Sequence, residues 1–185
     1  MTTTSYALLG LLALRSWTTY ELAQQVRRSL AWFWPRTERK LYDEPKRLVA
    51  AGYATAREEY TGKRRRTVYE ITDAGRAALR VWLAGPSAAP SVESEAMVRV
   101  FFADGGDRAS LRATLDGMEE GARGRLAALT AMADGEDAFP DRRHIAALAM
   151  RLQQDQERTT IAWVQWARAQ VDGWSDTDAP RRARR

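Results

Sequence analysis

Apolar positions in the first third of the chain recur at helical intervals. Tyr6, Leu8, Leu9, Leu11 and Leu12 form a broad apolar face behind Ser5, a residue suited to cap the helix that carries them. Ser16-Trp17-Thr18 interrupts this pattern. Thr18 or Thr19 is placed to cap a second helix, in which Leu22, Val26 and Leu30 recur four apart with Ala23 beside them. Trp32, Phe33 and Trp34 close that helix in an aromatic cluster. Pro35 is expected in the first turn of a third helix. Its Leu41, Leu48 and Val49 point inward, and Gly52 ends it as a C-cap.

The period then changes from about four to two. Tyr53 to Tyr60 reads as a strand, residues 61–66 as a basic turn, and Thr67 to Ile71 as the return strand. Thr72 or Asp73 is placed to cap a fourth helix through Leu79 and Trp82 to about Leu83. Residues 86–92 are small and proline-bearing, which marks a linker. Beyond it every periodic stretch is helical. Glu93 to Phe102 is one helix, stopped by Gly105-Gly106. A second begins behind Asp107 and runs to about Met132, weakened by Gly117, Gly121 and Gly124. Asp134 to Pro140 is a loop. A last long helix, capped by Asp141, runs to about Val171. Its stripe is Ile145, Ala149, Leu152, Gln156, Thr160, Val164, Ala167 and Val171, widened by Leu148, Trp163 and Trp166. The predicted organisation is therefore a mixed domain over residues 1–85, a linker, a helical domain over 93–174, and a disordered basic tail over 175–185.

Composition narrows the function. The chain has 185 residues, no cysteine and a single histidine, His144. Disulfides, thiolate zinc sites and cysteine nucleophiles are excluded. No cofactor or metal site is expected. No apolar run approaches the roughly 20 residues of a membrane span, and no leader segment is read, so a cytoplasmic location is expected. Net charge is +5 and unevenly divided. Residues 1–85 carry 15 Lys and Arg against 8 Asp and Glu, whereas residues 86–185 carry 14 Arg against 16 acids, four of those Arg lying in the last five residues. A basic half joined to an acidic one points to a polyanionic partner for the first. No serine sits in a strand-turn-helix context, no phosphate-cradling loop is present, and Glu58-Glu59 and Glu119-Glu120 are read as unburied, so no enzyme is expected.

The order of elements is that of a winged helix-turn-helix: two helices, a basic third helix, then a two-stranded ribbon with a basic tip. The fold class is mostly α with a small β-wing, followed by a C-terminal helical domain. A helix of this kind fits the DNA major groove and offers donors to base edges. A ribbon tip bearing Lys63, Arg64, Arg65 and Arg66 reaches phosphate or the minor groove, with salt-dependent affinity. Charge is also common on solvated hairpins. The basic third helix favours the nucleic-acid reading.

Three strings resemble the PadR family of transcription regulators. They are Leu41-Tyr42-Asp43-Glu44-Pro45-Lys46-Arg47-Leu48, then Gly52, then Arg64 to Arg76. Leu8 to Leu14 followed by Tyr20-Glu21-Leu22 is similar to that family's opening helices, and Glu93 to Asp104 to the start of its helical dimerisation domain. The resemblance implies repression of nearby genes by a homodimer on double-stranded DNA with a pseudo-palindromic operator, often relieved by a small aromatic effector. It implies no catalytic residues. Two departures stand out. Thr18-Thr19 replaces the usual His-Gly, and proline lies three places after Tyr42 rather than directly after it. A proline inside a helix removes a hydrogen bond, so a bend at Pro45 is expected.

Arg36, Thr37, Arg39, Lys40, Tyr42 and Lys46 are assigned to the recognition face. Arginine suits bidentate bonding to guanine, and Lys40 and Lys46 suit phosphate. Tyr20 either reaches phosphate or packs. Trp163 and Trp166 either stack a flat ligand or pack at an interface. Trp17 and Trp82 are expected in the core. The apolar stripe of the last helix, broken by Gln156 and Thr160, suits pairing with a second copy. A different class of function, a winged protein-interaction module without a specific DNA target, is separated from this one by salt-sensitive DNA binding.

Overall fold

The computed structural model describes the chain apart from Arg36, Lys63, residues 136–138 and residues 178–185, together with the side chains of Glu38, Thr61 and Arg64. Two compact units divide the chain, residues 1–89 and residues 90–185.

The first unit orders α1 (Thr3–Leu12), β1 (Trp17–Thr18), α2 (Thr19–Gln25), α3 (Glu38–Ala50), β2 (Ala54–Thr61), β3 (Arg64–Ile71) and α4 (Asp73–Ala84). Thr2, not Ser5, caps α1: Thr2 Oγ1 accepts from the Ser5 amide, while Ser5 Oγ accepts from the Thr2 amide. Both hydroxyls satisfy amides that the first helical turn leaves without partners. Ser5 is thereby freed for a second duty. Buried, it donates to Glu44 Oε1 on α3 at 2.5 Å. Thr18 caps α2 in a reciprocal capping box with Glu21. The expected continuation of α2 to Leu30 changes character at Val26, where one π-helical turn covers Val26–Leu30.

Pro35 does not open α3. Thr37 is the N-cap and Glu38 the first helical residue, so the proline lies in the approach. Pro45, where a bend is expected, lies inside the helix, which continues through it to Ala50. Pro45 is almost fully buried. Its missing amide therefore lies on the inward face, with Leu41, Glu44 and Leu48, and the exposed face keeps helical spacing. Gly52 (φ 77°) takes the left-handed conformation that ends the helix.

The three strands form one antiparallel sheet, ordered β1-β3-β2. The two-residue β1, pairing Trp17 with Tyr69 and Thr18 with Val68, is too short to show as a period in the sequence. The core gathers Leu8, Leu9, Leu12, Leu22, Leu48, Trp17, Val68, Tyr69 and Ile71. Trp17 is only 3% exposed and donates from Nε1 to the Leu11 carbonyl at 2.7 Å. Trp82 departs from expectation. It is 41% exposed and stacks on Tyr6, centroids 4.8 Å apart, because α4 presents it at the surface beside α1.

The second unit comprises α5 (Glu95–Phe101), α6 (Arg108–Asp134) and α7 (Arg143–Asp172). Ser94 caps α5 and Asp107 caps α6. A 3-10 turn, Pro140–Arg142, precedes α7, so Arg142 rather than Asp141 stands at the N-cap, without a side-chain bond. Leu111 and Leu115 of α6 pack against Val164, Ala167 and Val171 of α7. Only this C-terminal half of the α7 stripe is buried. Ile145, Leu148 and Leu152 stay at the surface. The tail expected over residues 175–185 lies outside the described residues from 178 onward, while Thr177 Oγ1 donates to the Gly106 carbonyl at 3.0 Å.

Glu119 also corrects the reading of its pair as unburied. It is 7% exposed, because the α6–α7 contact covers it. It accepts from Arg123, Gln165 and Arg168, and Arg168 also pairs with Asp116 at 2.5 Å. The Arg123 hydrogen bond holds the Glu119 carboxyl below its ordinary value of 4.5. Burial opposes this, and Gln165 and Arg168 add to the lowering. A depressed folded-state pKa gives stability that is complete above the unfolded value and lost as pH falls through the folded one. The melting temperature of the full chain is therefore expected to drop as pH is lowered below 4.5, and to drop less in Glu119→Gln. Equal pH dependence of the two proteins in thermal melts followed by circular dichroism would count against this role.

Candidate nucleic-acid interface

The helix-turn-helix face is built on α2 and α3. Buried Leu41, Glu44, Pro45 and Leu48 fix the inward side of α3. The Ser5–Glu44 bond ties it to α1 at a second, polar point. What remains outward follows from the 3.6-residue period. Arg39, Tyr42 and Lys46 lie on one exposed face, and Lys40 and Arg47 flank it. The Arg39 side chain is 93% exposed and stands 3.9 Å from Asp43, a loose pair in water. Among the described residues Lys40 and Lys46 carry no ion pair. Thr37 is exposed at the helix N-terminus, where amides and the helix dipole favour an anion. Arg36 lies outside the described residues. Tyr20, on α2, is 58% exposed, and its hydroxyl accepts from Gln24 at 2.7 Å.

The ribbon is β2 and β3, joined through Gly62 at φ 61°, a left-handed position that glycine adopts without strain. Its basic tip is shorter than expected. Arg64, Arg65 and Arg66 belong to β3, paired with Thr61, Tyr60 and Glu59, because the ladder continues to the turn. Lys63 and the Arg64 side chain lie outside the described residues. Arg66 faces Glu59 directly and donates to it at 2.7 Å, Arg65 pairs diagonally with Glu58, and Arg57 also pairs with Glu59. The reading of residues 61–66 as a basic turn missed these carboxylates. A hairpin register fixed by the turn places residues 59 and 66 opposite each other, and that signal was open to the sequence.

These elements place exposed donors and cations on one helix face and one ribbon of a winged fold. Residues 8–81 match the model of the transcriptional regulator PadR-like family. Residues 93–172 match that of the virulence activator alpha C-terminal region. Residues 8–81 thus carry the region typical of PadR-like transcriptional regulators. It is 31% identical over 99 residues to the negative transcriptional regulator PadR of Bacillus subtilis (strain 168); the match spans 52% of this chain and 54% of that protein, about half its length. The fold is that of B. subtilis PadR solved with operator DNA, with a TM-score of 0.82 at 23% identity over 92% of this chain and 100% of that one. The same protein solved with p-coumaric acid gives a TM-score of 0.74 at 24% identity, covering 92% and 99%. The family and these relatives are regulators, not enzymes.

In this PadR-like chain the helical unit holds an open groove of about 1130 Å³ among α5, α6 and α7, lined by Met97, Met118 and Trp163 with Arg99 and Arg125. Trp163 is half-buried against the α6–α7 core and lines this groove. Trp166 is 60% exposed and is not part of the lining, so the two tryptophans face different surroundings. No described helix is long and apolar enough to cross a membrane.

Proposed function

We propose that this chain is a cytoplasmic, homodimeric, sequence-specific DNA-binding repressor. The observation that carries this reading is the outward face of α3, with Arg39, Lys40, Tyr42 and Lys46 exposed beside a basic ribbon in a PadR-like fold. Arg39 and Thr37 meet base edges at the N-terminal end of α3, and Lys40 and Lys46 meet phosphate. Arg36 joins them. Tyr20 touches the backbone from α2, and Lys63 to Arg66 contact it from the wing. The name of the B. subtilis relative, a negative regulator, supports repression, and its operator complex supports DNA as the partner.

Dimerisation rests on the helical unit. Ile145, Leu148 and Leu152 leave an apolar stripe on the first half of α7, and Phe101 and Phe102 add to the exposed apolar surface of this unit. Exposed apolar surface of this extent marks an interaction site. A two-fold pair of winged units reads a pseudo-palindrome. Truncation after Ala84 is expected to give a monomer; sedimentation of the truncated chain as a dimer would contradict the assignment. A small aromatic effector, supported by the p-coumaric acid complex of the relative, would meet the groove at Trp163, with Trp166 at the neighbouring surface.

Fluorescence anisotropy of the full chain against DNA from its own upstream region, and against a scrambled duplex, tests the function. Tight, selective binding that weakens steeply with salt is expected. Equal weak binding to both duplexes, or none at low salt, would overturn it in favour of a protein-interaction module.

A further inference from the structure

The wing carries acid as well as base. Its register sets Glu59 opposite Arg66 and Tyr60 opposite Arg65. Arg66 donates to Glu59 Oε2 from both Nε and Nη2, at 3.2 and 2.7 Å. Arg57, two residues before Glu59 on the same strand face, shares that carboxylate. Arg65 reaches Glu58 on the opposite face. Three guanidiniums of the hairpin are thus held by two carboxylates. All of these pairs are open to water: the arginine side chains are 48–63% exposed, Glu58 is 49% exposed and Glu59 25%. Pairs this exposed add little to stability. Two acids set directly against the cations of a DNA-facing ribbon therefore call for a role other than holding the fold.

We propose that Glu58 and Glu59 are a built-in counter-charge that limits the sequence-independent affinity of the wing for DNA. The inference deepens the DNA-binding reading above and rests on it. In the free protein the carboxylates occupy Arg57, Arg65 and Arg66. To contact DNA, the Arg65 and Arg66 guanidiniums each exchange a carboxylate for a phosphate. The released carboxylates cannot leave, because they are tethered one strand away, and they then face the polyanion. That like-charge approach costs binding free energy on any duplex, whatever its sequence. The internal pairing also replaces solution anions on the arginines, so fewer ions are released on binding and the salt dependence is shallower than the count of basic residues implies. Base-edge contacts from α3 are untouched by this exchange. The carboxylates therefore set the overall strength and salt dependence of binding, and the ratio between duplexes is left to the base-edge contacts of α3.

The test compares the wild-type full chain with Glu58→Gln/Glu59→Gln and with Glu58→Asp/Glu59→Asp, which keeps the charge. Each is titrated by anisotropy with the upstream duplex and the scrambled duplex over a salt series. The Gln variant is expected to bind both duplexes more tightly by a similar factor, roughly five- to twentyfold for two exposed charges. Its logarithmic salt slope is expected to steepen by about one to two. The Asp variant is expected to remain close to wild type, and thermal melts of all three to coincide. A wild type that binds in a salt-dependent way together with a Gln variant that binds no tighter overturns the counter-charge alone. Tightening on the upstream duplex only also overturns it, since the carboxylates would then act at particular bases. A wild type that binds neither duplex at low salt overturns the DNA-binding reading and this inference with it.

Discussion

Gly75→Ala is expected to destabilise the winged unit by about 3 kcal/mol, the upper end for forcing atoms into a filled space. Gly75 lies in the first turn of α4, under the loop between α3 and β2. A Cβ built there falls 2.1 Å from the Tyr53 carbonyl oxygen and 2.8 Å from Ile71 Cγ1. The first of these is backbone and cannot rotate away. It is also pinned, because the Tyr53 carbonyl accepts from the Thr72 amide at 3.2 Å. Thr72 Oγ1 accepts from Gly75 and donates to the Gly52 carbonyl at 2.8 Å, so the cap of α4 and the end of α3 are one joint. Relief of the clash must move one of them. For a unit of this size such a destabilisation lowers the melting temperature by more than about ten degrees. A shift of only a degree or two in a thermal melt would mean that the joint yields freely. Since α3 ends at this joint, the same variant is expected to weaken DNA binding.

Replacing Lys63, Arg64, Arg65 and Arg66 together with alanine carries the largest expected effect on binding. Each phosphate deprived of its cation takes about 0.9 off the logarithmic salt slope. Four cations per chain are removed, and Glu58 and Glu59 remain, unpaired from Arg65 and Arg66. Repulsion from these carboxylates then compounds the missing attraction. Affinity for upstream and scrambled duplexes is expected to fall alike, by roughly a hundredfold or more at moderate salt. Salt titrations of the variant check this, and an unchanged slope would remove the wing from the interface.

Long-period features of the fold were legible in the sequence. Leu8 to Leu12, a cap at Thr18 or Thr19, and the change to period two after Gly52 all correspond to elements observed, the cap being Thr18. The joint at Thr72 could be read as a cap, but its close approach to Tyr53 could not, because that contact depends on tertiary packing. Chain ends and short pieces escaped for local reasons. Ser5 and Thr2 compete for one capping position, and a two-residue strand such as β1 has no period to detect. Buried charge escaped as well. Glu44 and Glu119 look like surface residues in sequence and are buried because a specific partner, Ser5 in one case and Arg123 and Arg168 in the other, comes from a helical neighbour or a distant segment. The exposed cations of α3 were legible through helical spacing. The acids that occupy the wing arginines were hidden by reading the tip as a turn rather than a ladder.

The assignment of α3 as the element that reads sequence is tested most directly by Thr37→Ala/Arg39→Ala. Its affinity for the upstream duplex is measured against that for the scrambled duplex. Neither side chain supports the core, so the fold and the wing remain. The ratio of the two affinities is expected to collapse toward one, a loss of roughly ten- to a hundredfold for a base-reading arginine, while salt-sensitive binding to both duplexes persists. A ratio equal to that of the wild type would contradict the account and place sequence recognition elsewhere on the protein.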